Sequence, residues 1–463
     1  MAFLNLFAMF AIVGALSGCI LKNSPEPDLE NVSVENQTQP IDASGERVSQ
    51  ALSQLSEKAI SNQTKSVVVA KNLPFFDAVH SAVKKSPQIE RAAQQVLSAG
   101  FGKDMALSGK KIQLSTTGGV GLSAQRKNSV NTDRTGASVT IRGALLLFDG
   151  GLLDSRIDAA GAQYLVAETN FDVESEKLAY DASSAWINLW SANEAQDLFL
   201  ASKDEIDAIK SQLEILKTTG ILNVGDFADI ENKMNDLALS HQKTQQLVSL
   251  AKLDFELHFG DLIKKTSLPP LSQLVSKPDK FDTLKLPILK KLLLEQAIAE
   301  FRVKEAKAAF KPTIKSVASL SSPQNVNGSS DAKIGFFVDY TISDGGSRAA
   351  RIGAAEAEFS GLEAEIGHQF RMAKVRFNTA KSRLNSNQSL IQMSSKKVEL
   401  LNEQIEAATS QKALGQTAIQ KLFALKIEKF EAQIALIKLR GETYTSALDL
   451  KLASGNLLNL FDL

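Results

Sequence analysis

The chain has 463 residues with 52 basic and 52 acidic side chains. This zero balance removes any global attraction to nucleic acid, and a single cysteine excludes a disulfide within the chain. Length alone would suggest about three domains, but aromatics are only 6%. Extended helices packed on Ala, Leu and Ile fit that better than one thick core.

Ala2 to Leu16 form an almost unbroken apolar run. It is too short for an ordinary membrane span and reads as a signal peptide over residues 1–18. Leu16-Ser17-Gly18-Cys19 closes it. These four residues resemble a bacterial lipobox, which makes Cys19 the expected lipidated N-terminus; the alternative is a buried free thiol. The resemblance also implies outer membrane sorting, since Ile20 and not Asp follows the cysteine. Residues 19–71 are polar and carry Pro25, Pro27 and Pro40. They read as a tether, with a possible short helix over Val48 to Ile60.

The rest of the chain reads as a duplication. Asp149-Gly150-Gly151 follows the apolar run Leu145 to Phe148, and Asp344-Gly345-Gly346 follows Phe336 to Ile342. The two motifs lie 195 positions apart (344 − 149), as do Gly220 and Gly415. The first repeat is placed at 72–265, with strands at about 112–124 and 137–148 and a tip near 220. A linker covers 266–282. The second repeat is placed at 283–458, with strands at about 313–322 and 333–343 and a tip near 415. A tail of 459–463 remains.

Two periods separate the elements. Phe370, Phe377, Leu384, Ile391, Val398 and Ile405 recur every seven residues, which indicates coiled-coil packing. At 1.5 Å per residue, the helix from Gly346 to Lys412 would be about 100 Å long. The four strands alternate instead. Ile112-Leu114-Thr116, Val139-Ile141-Gly143, Ile314-Ser316-Ala318 and Ile334-Phe336-Val338 define one face. Arg142, Lys315, Lys333 and Asp339 fall on the other. This is the pattern of a transmembrane barrel with lipid outside and water inside; a half-buried soluble sheet is the alternative. Four strands cannot close a barrel, and open edges are not tolerated in lipid. Several copies must therefore contribute.

With its duplicated Asp-Gly-Gly junctions, Ser86-Pro87 in the first helix and two Gly-centred tips, the chain resembles the TolC family of outer membrane factors over about Leu73 to Leu458. The resemblance implies a mainly α protein with a small β part. Duplicated coiled-coil hairpins would form a trimeric periplasmic tunnel below a 12-stranded barrel, four strands per protomer. It implies a homotrimer in outer membrane lipid, met by a periplasmic adaptor and an inner-membrane pump of RND or ABC type. The tips at Gly220 and Gly415 would be the docking end. Asp226 and Asp229 follow the first tip at +6 and +9, where Lys421 and Ala424 follow the second. Well-known relatives carry acidic residues at the second tip. Lys421 would invert the field there, or else it snorkels on a solvated helix face.

Nothing in the sequence recommends an enzyme. His80, His241, His258 and His368 lack metal-ligand spacing, no phosphate loop or nucleophile elbow occurs, and no cofactor is expected. The function expected is a passive exit duct for efflux or type I secretion. The alternatives are a periplasmic adaptor and a structural coiled-coil lipoprotein.

Overall fold

The computed structural model describes residues 73–127, 130–219, 224–260, 266–275, 280–322, 330–413 and 419–463. Cys19, the tether, Gly220 and Gly415 lie outside the described residues. Helix α1 (Phe75–Lys84) and helix α2 (Pro87–Ser108) lead into strands β1 (Gln113–Lys127) and β2 (Val130–Phe148). The long helix α3 (Leu152–Thr218) and its return α4 (Val224–Phe259) follow, then a one-turn helix α5 (Leu271–Leu274). The second half repeats the order: α6 (Pro287–Ala308), β3 (Thr313–Ser321), β4 (Asp331–Asp339), α7 (Ser347–Ala413) and α8 (Ile419–Ala453), with a short α9 (Leu457–Leu460) at the end.

The repeats agree in length. Both α2 and α6 have 22 residues, both α3 and α7 have 67, and α4 and α8 have 36 and 35. At 1.5 Å per residue, each 67-residue helix is about 100 Å long. Ser86-Pro87 does not lie within a helix, as the resemblance suggested. It marks the break between α1 and α2. The Ser86 hydroxyl accepts the Gln88 N–H at 3.2 Å, and Pro87 opens α2. A hydroxyl N-cap and a proline at the first helical position both favour a fresh helix start.

The four strands form one antiparallel sheet in the order β1-β2-β3-β4. Its register keeps the alternating faces aligned. Thr116 pairs Ile141, Ile141 pairs Leu320, and Ile314 pairs Val338. A one-residue slip would have mixed the faces. A bulge between Leu146 and Phe148 shifts the register by one residue near the junction, so that Phe148 pairs Ile314; bulges commonly bend a strand at such a place. The strands differ in extent from the sequence expectation. β1 and β2 run longer, and β4 stops at Asp339, so Tyr340 to Ser343 form a connection to the next turn.

The helices form two successive layers. Beside the strands, α2 packs on α3, α3 on α6, and α6 on α7. Farther along, α4 packs on α3, α3 on α8, and α8 on α7. The heptad seam of α7 is covered at Phe377, Ala380, Leu384, Leu401 and Ala408, although Phe370 at its start stays exposed. The main core lies where the repeats and the linker converge. Trp186 sits among Phe75, Phe255 and Phe259, and its Nε1–H donates to the Ser267 carbonyl at 3.0 Å. Residues 459–463, separable as a tail in sequence, join this core through buried Phe461. The Phe461 carbonyl lies 2.8 Å from His80 Nδ1.

Candidate functional site

Three sets of residues carry the candidate function: the strand-to-helix junctions, the polar face of the sheet, and the far ends of the long helices. At the first junction the chain must turn from strand to helix within two residues. Gly150 and Gly151 do so at φ +72° and +92°, a region that costs an L side chain about 1–2 kcal/mol. The Asp149 carboxylate accepts the N–H groups of Gly151, Leu152 and Leu153 at 3.0, 3.1 and 2.7 Å. These are orphan donors of the α3 first turn.

The second junction repeats this geometry. Gly345 and Gly346 take φ +65° and +92°. Asp344 accepts from Gly346 N–H at 3.1 Å and Arg348 N–H at 2.9 Å. The Arg348 Nε–H adds a third bond at 2.8 Å. The backbone bond from Arg348, with help from its side chain and Gly346, holds the Asp344 carboxyl below the usual carboxylate range.

The junctions differ in one respect. A Cβ on Gly150 would lie 2.5 Å from Lys311 Cβ, whereas Gly345 faces open space. Lys311 also donates from Nζ to the Gly150 carbonyl at 3.1 Å. The sequence reading passed over Lys311. The signal available was Lys111, its counterpart 200 positions earlier, in the same place at the end of α2.

Arg142, Lys315, Lys333 and Asp339 all lie exposed on the second face of the sheet. Arg142 pairs Ser319, which pairs Lys333, so these two cations share one row across three strands. Asp331 sits on that face too, 2.7 Å from Lys333 Nζ. It moderates the positive lean that the four named residues alone would give. Asp331 was legible, being two residues before Lys333.

At the far ends, Asp229 and Lys421 are exposed, while the side chain of Asp226 lies outside the described set. Just behind them, Ile230 of α4 packs against Phe423 and Ile427 of α8. A second small cluster joins Phe199 of α3, Leu237 of α4 and Phe430 of α8. These two contacts hold the hairpin ends of both repeats side by side.

Among the described residues no group of His, Cys, Asp or Glu is placed to hold a metal ion. No described helix is long and apolar enough to cross a membrane. The first face of the sheet exposes a row of apolar side chains at Leu114, Val139, Ile141, Ile334, Phe336 and Val338.

Residues 286–456 match the family model described as outer membrane efflux protein. No curated protein matches the chain in sequence. Solved structures do match in fold. A structure of CusC, described in terms of folding and transmembrane channel formation, aligns with a TM-score of 0.73 at 16% identity, over 84% of this chain and 93% of that one. The Campylobacter jejuni CmeC outer membrane channel gives 0.72 at 13%, over 82% and 85%. The outer membrane protein VceC of Vibrio cholerae gives 0.70 at 16%, over 82% and 95%. Residues 286–456 thus resemble the outer membrane efflux proteins, and the described chain has the fold of these outer membrane channels.

Proposed function

We propose that three copies of the chain close side by side into an outer membrane duct. The duct extends into the periplasm and gives an export system its exit. One observation carries this reading: among the described residues, every layer ends in an edge that its own chain leaves unpartnered. The sheet ends at β1 and β4. The first helical layer ends at α2 and α7, and the second at α4 and α7. The α2 and α4 edges are apolar. Leu97, Phe101 and Met105 form an exposed stripe on α2, and Leu247, Leu250, Leu253 and Leu257 form another on α4. Such stripes mark association surfaces, and in lipid only a closed sheet satisfies its backbone.

The duplication supplies the geometry of closure. Within the chain, β2 pairs β3 while the α3 junction meets the end of α6. The counterparts of β2 and its junction are β4 and Gly345, 195 positions later. The counterparts of α6 and β3 are α2 and β1, 200 positions earlier. Repeating the internal contact between copies seats Gly345 against Lys111 of the next copy. It also sets Phe336 opposite Val120 of the next copy, as Ile141 sits opposite Leu320. All four strand residues lie on the apolar face, so the repeated register is self-consistent. Mass measurement in mild detergent tests the reading: a trimer is expected, and a stable monomer with intact helices would contradict it.

Three further elements belong to this proposal. Cys19 is the lipidated N-terminus, anchoring the chain through several acyl chains. Cys19→Ser should abolish lipid attachment and lipoprotein-type cleavage. An unmodified thiol at Cys19 of the mature protein, found by mass spectrometry, would remove this element.

The helix ends near Gly220 and Gly415, with Asp226, Asp229 and Lys421, receive a periplasmic adaptor and through it the inner-membrane pump. Tryptophan at either glycine should abolish most export while trimer and barrel persist. Export and adaptor crosslinking equal to wild type in both variants would refute the assignment.

Lys421 sets the ion preference of the entrance. Three like charges around a narrow, partly desolvated opening interact far more strongly than in bulk water. Reconstituted channels should favour anions, more so at low salt, and Lys421→Asp should move the reversal potential toward cations. A cation-selective wild type, with no movement in the variant, would assign the gate to other residues. Arg142, Lys315 and Lys333 should matter less, because the lumen of the barrel is wider and Asp331 and Asp339 share its wall.

A further inference from the structure

Two helices fill the space between α3 and α7, and they meet end to end. α8 finishes at Ala453 and α6 begins at Pro287, and each packs on both long helices. Where they meet, a cavity of about 590 Å³ opens. Its walls are largely apolar and include Val173, Leu286, Ile288, Val375 and Leu452. Ile288 and Val375 are exposed at its mouth.

Three cationic side chains, Lys177, Arg376 and Arg383, also line the cavity and reach solvent. Among the described residues none of them has an acidic side chain at ion-pair distance. Deeper in the wall is Glu176, only 7% exposed, whose Oε1 is buried without a hydrogen-bond partner. A buried polar atom left unpaired costs about 1–3 kcal/mol, and it is uncommon in a finished core. An apolar cavity with a few converging polar groups is the usual form of a small-molecule site.

We propose that this cavity binds an amphiphilic anion, its alkyl chain against the apolar walls and its carboxylate or phosphate head on Lys177, Arg376 and Arg383. Charge complementarity selects an anion over an amine. The rim offers three unpaired cations, and the Asp449 carboxylate beside them already accepts the Tyr180 hydroxyl at 2.7 Å. The site is built within one chain, so it stands independently of the ring.

Glu176 makes the site sensitive to protons. Burial first, and then the neighbouring Asp172 charge, push its carboxyl up to about 7. The groups around it are Asp172 and Lys177 on α3, Lys290 on α6 acting on Asp172, Arg376 and Arg383 on α7, and Asp449 on α8. Below pH 7 the carboxyl is protonated, adds no negative charge, and its hydroxyl can donate to a ligand oxygen. Above it, an ionised Glu176 repels the anion. Because the raised value favours the protonated form, affinity should fall as pH rises, by about tenfold between pH 6 and 8 if only that form binds.

The test uses full-length protein in nanodiscs and fluorine-labelled octanoate, followed by ¹⁹F NMR, with octanol and octylamine for comparison. Octanoate should bind best. Arg376→Ala with Arg383→Ala should weaken it by about tenfold or more, as loss of charge-assisted hydrogen bonds does, without changing helicity or mass. Glu176→Gln should keep the affinity and flatten its pH dependence. Organic extracts of the purified protein distinguish the natural source, since a phospholipid or a free fatty acid should be present in wild type and depleted in the double variant. Equal binding of octanoate and octylamine, or octanoate binding unchanged in the double variant, would overturn the proposal.

Discussion

Gly150→Ala should destabilise the chain itself, whereas Gly345→Ala should leave each chain folded and weaken assembly. Both glycines hold positive φ, at +72° and +65°, so both substitutions carry strain of about 1–2 kcal/mol. At Gly150 the new methyl also meets Lys311 Cβ at 2.5 Å. That atom is fixed to the backbone and cannot swing aside, and overpacking of this kind adds about 1–3 kcal/mol. At Gly345 the space is open within one chain, and in the proposed ring Lys111 of the next copy fills it. Helical content by circular dichroism and trimer yield by heat-modifiability separate the two effects. Lys111→Gly should restore trimer yield to Gly345→Ala and do nothing for Gly150→Ala. If the two glycine variants behave alike and neither responds to Lys111→Gly, the repeated contact does not exist.

The larger effect on assembly should come from α4. Leu253 and Leu257 are 63% and 78% exposed, so replacing both with glutamate should cost the single chain little. In the proposed ring they would be buried against α7 of the next copy. Each leucine contributes about 1.5–3 kcal/mol on burial, and placing an unpaired carboxylate there adds a desolvation cost. Two such losses at each of three contacts should eliminate the trimer while the α3–α4 pairing within the chain, at Phe199 and Leu237, stays intact. Mass in mild detergent and far-ultraviolet circular dichroism report both quantities. A trimer of normal yield in the double glutamate variant would place α4 on an outer, solvated surface.

Much of this architecture is legible in the sequence because it rests on local periods. The seven-residue recurrence from Phe370 to Ile405 follows one seam of α7, and the two-residue alternation of the strands is kept in the register as far as the bulge at Leu146 and Phe148. The Asp-Gly-Gly junction is readable because two positive φ values in succession strongly favour glycine, and a carboxylate just before a helix has an obvious partner. What stays hidden depends on contacts distant in the chain. Phe461 reads as part of a short tail until α1, 381 positions away from it at His80, supplies its pocket. Glu176 reads as one more charge on a long helix. Only the meeting of α6 and α8 takes it out of water. Ser86-Pro87 is a case of ambiguous local chemistry, since proline at a first turn suits both a continuing connection and a new helix. The apolar stripes on α2 and α4 are visible in sequence, but a stripe does not say whether its cover comes from the same chain.

That last question is the central one, and a cysteine pair answers it directly. In a Cys19→Ser background, Val120→Cys and Phe336→Cys place one thiol near each free edge of the sheet. Both positions are exposed in the single chain, at 89% and 67%, and no strand lies between them and the outer edges of β1 and β4. Oxidation in the membrane should produce covalent dimers and trimers, ending at three copies because the ring then closes. Either single variant should give no product. A product confined to one chain, a ladder that continues beyond three, or no crosslink despite accessible thiols would contradict a closed ring of three.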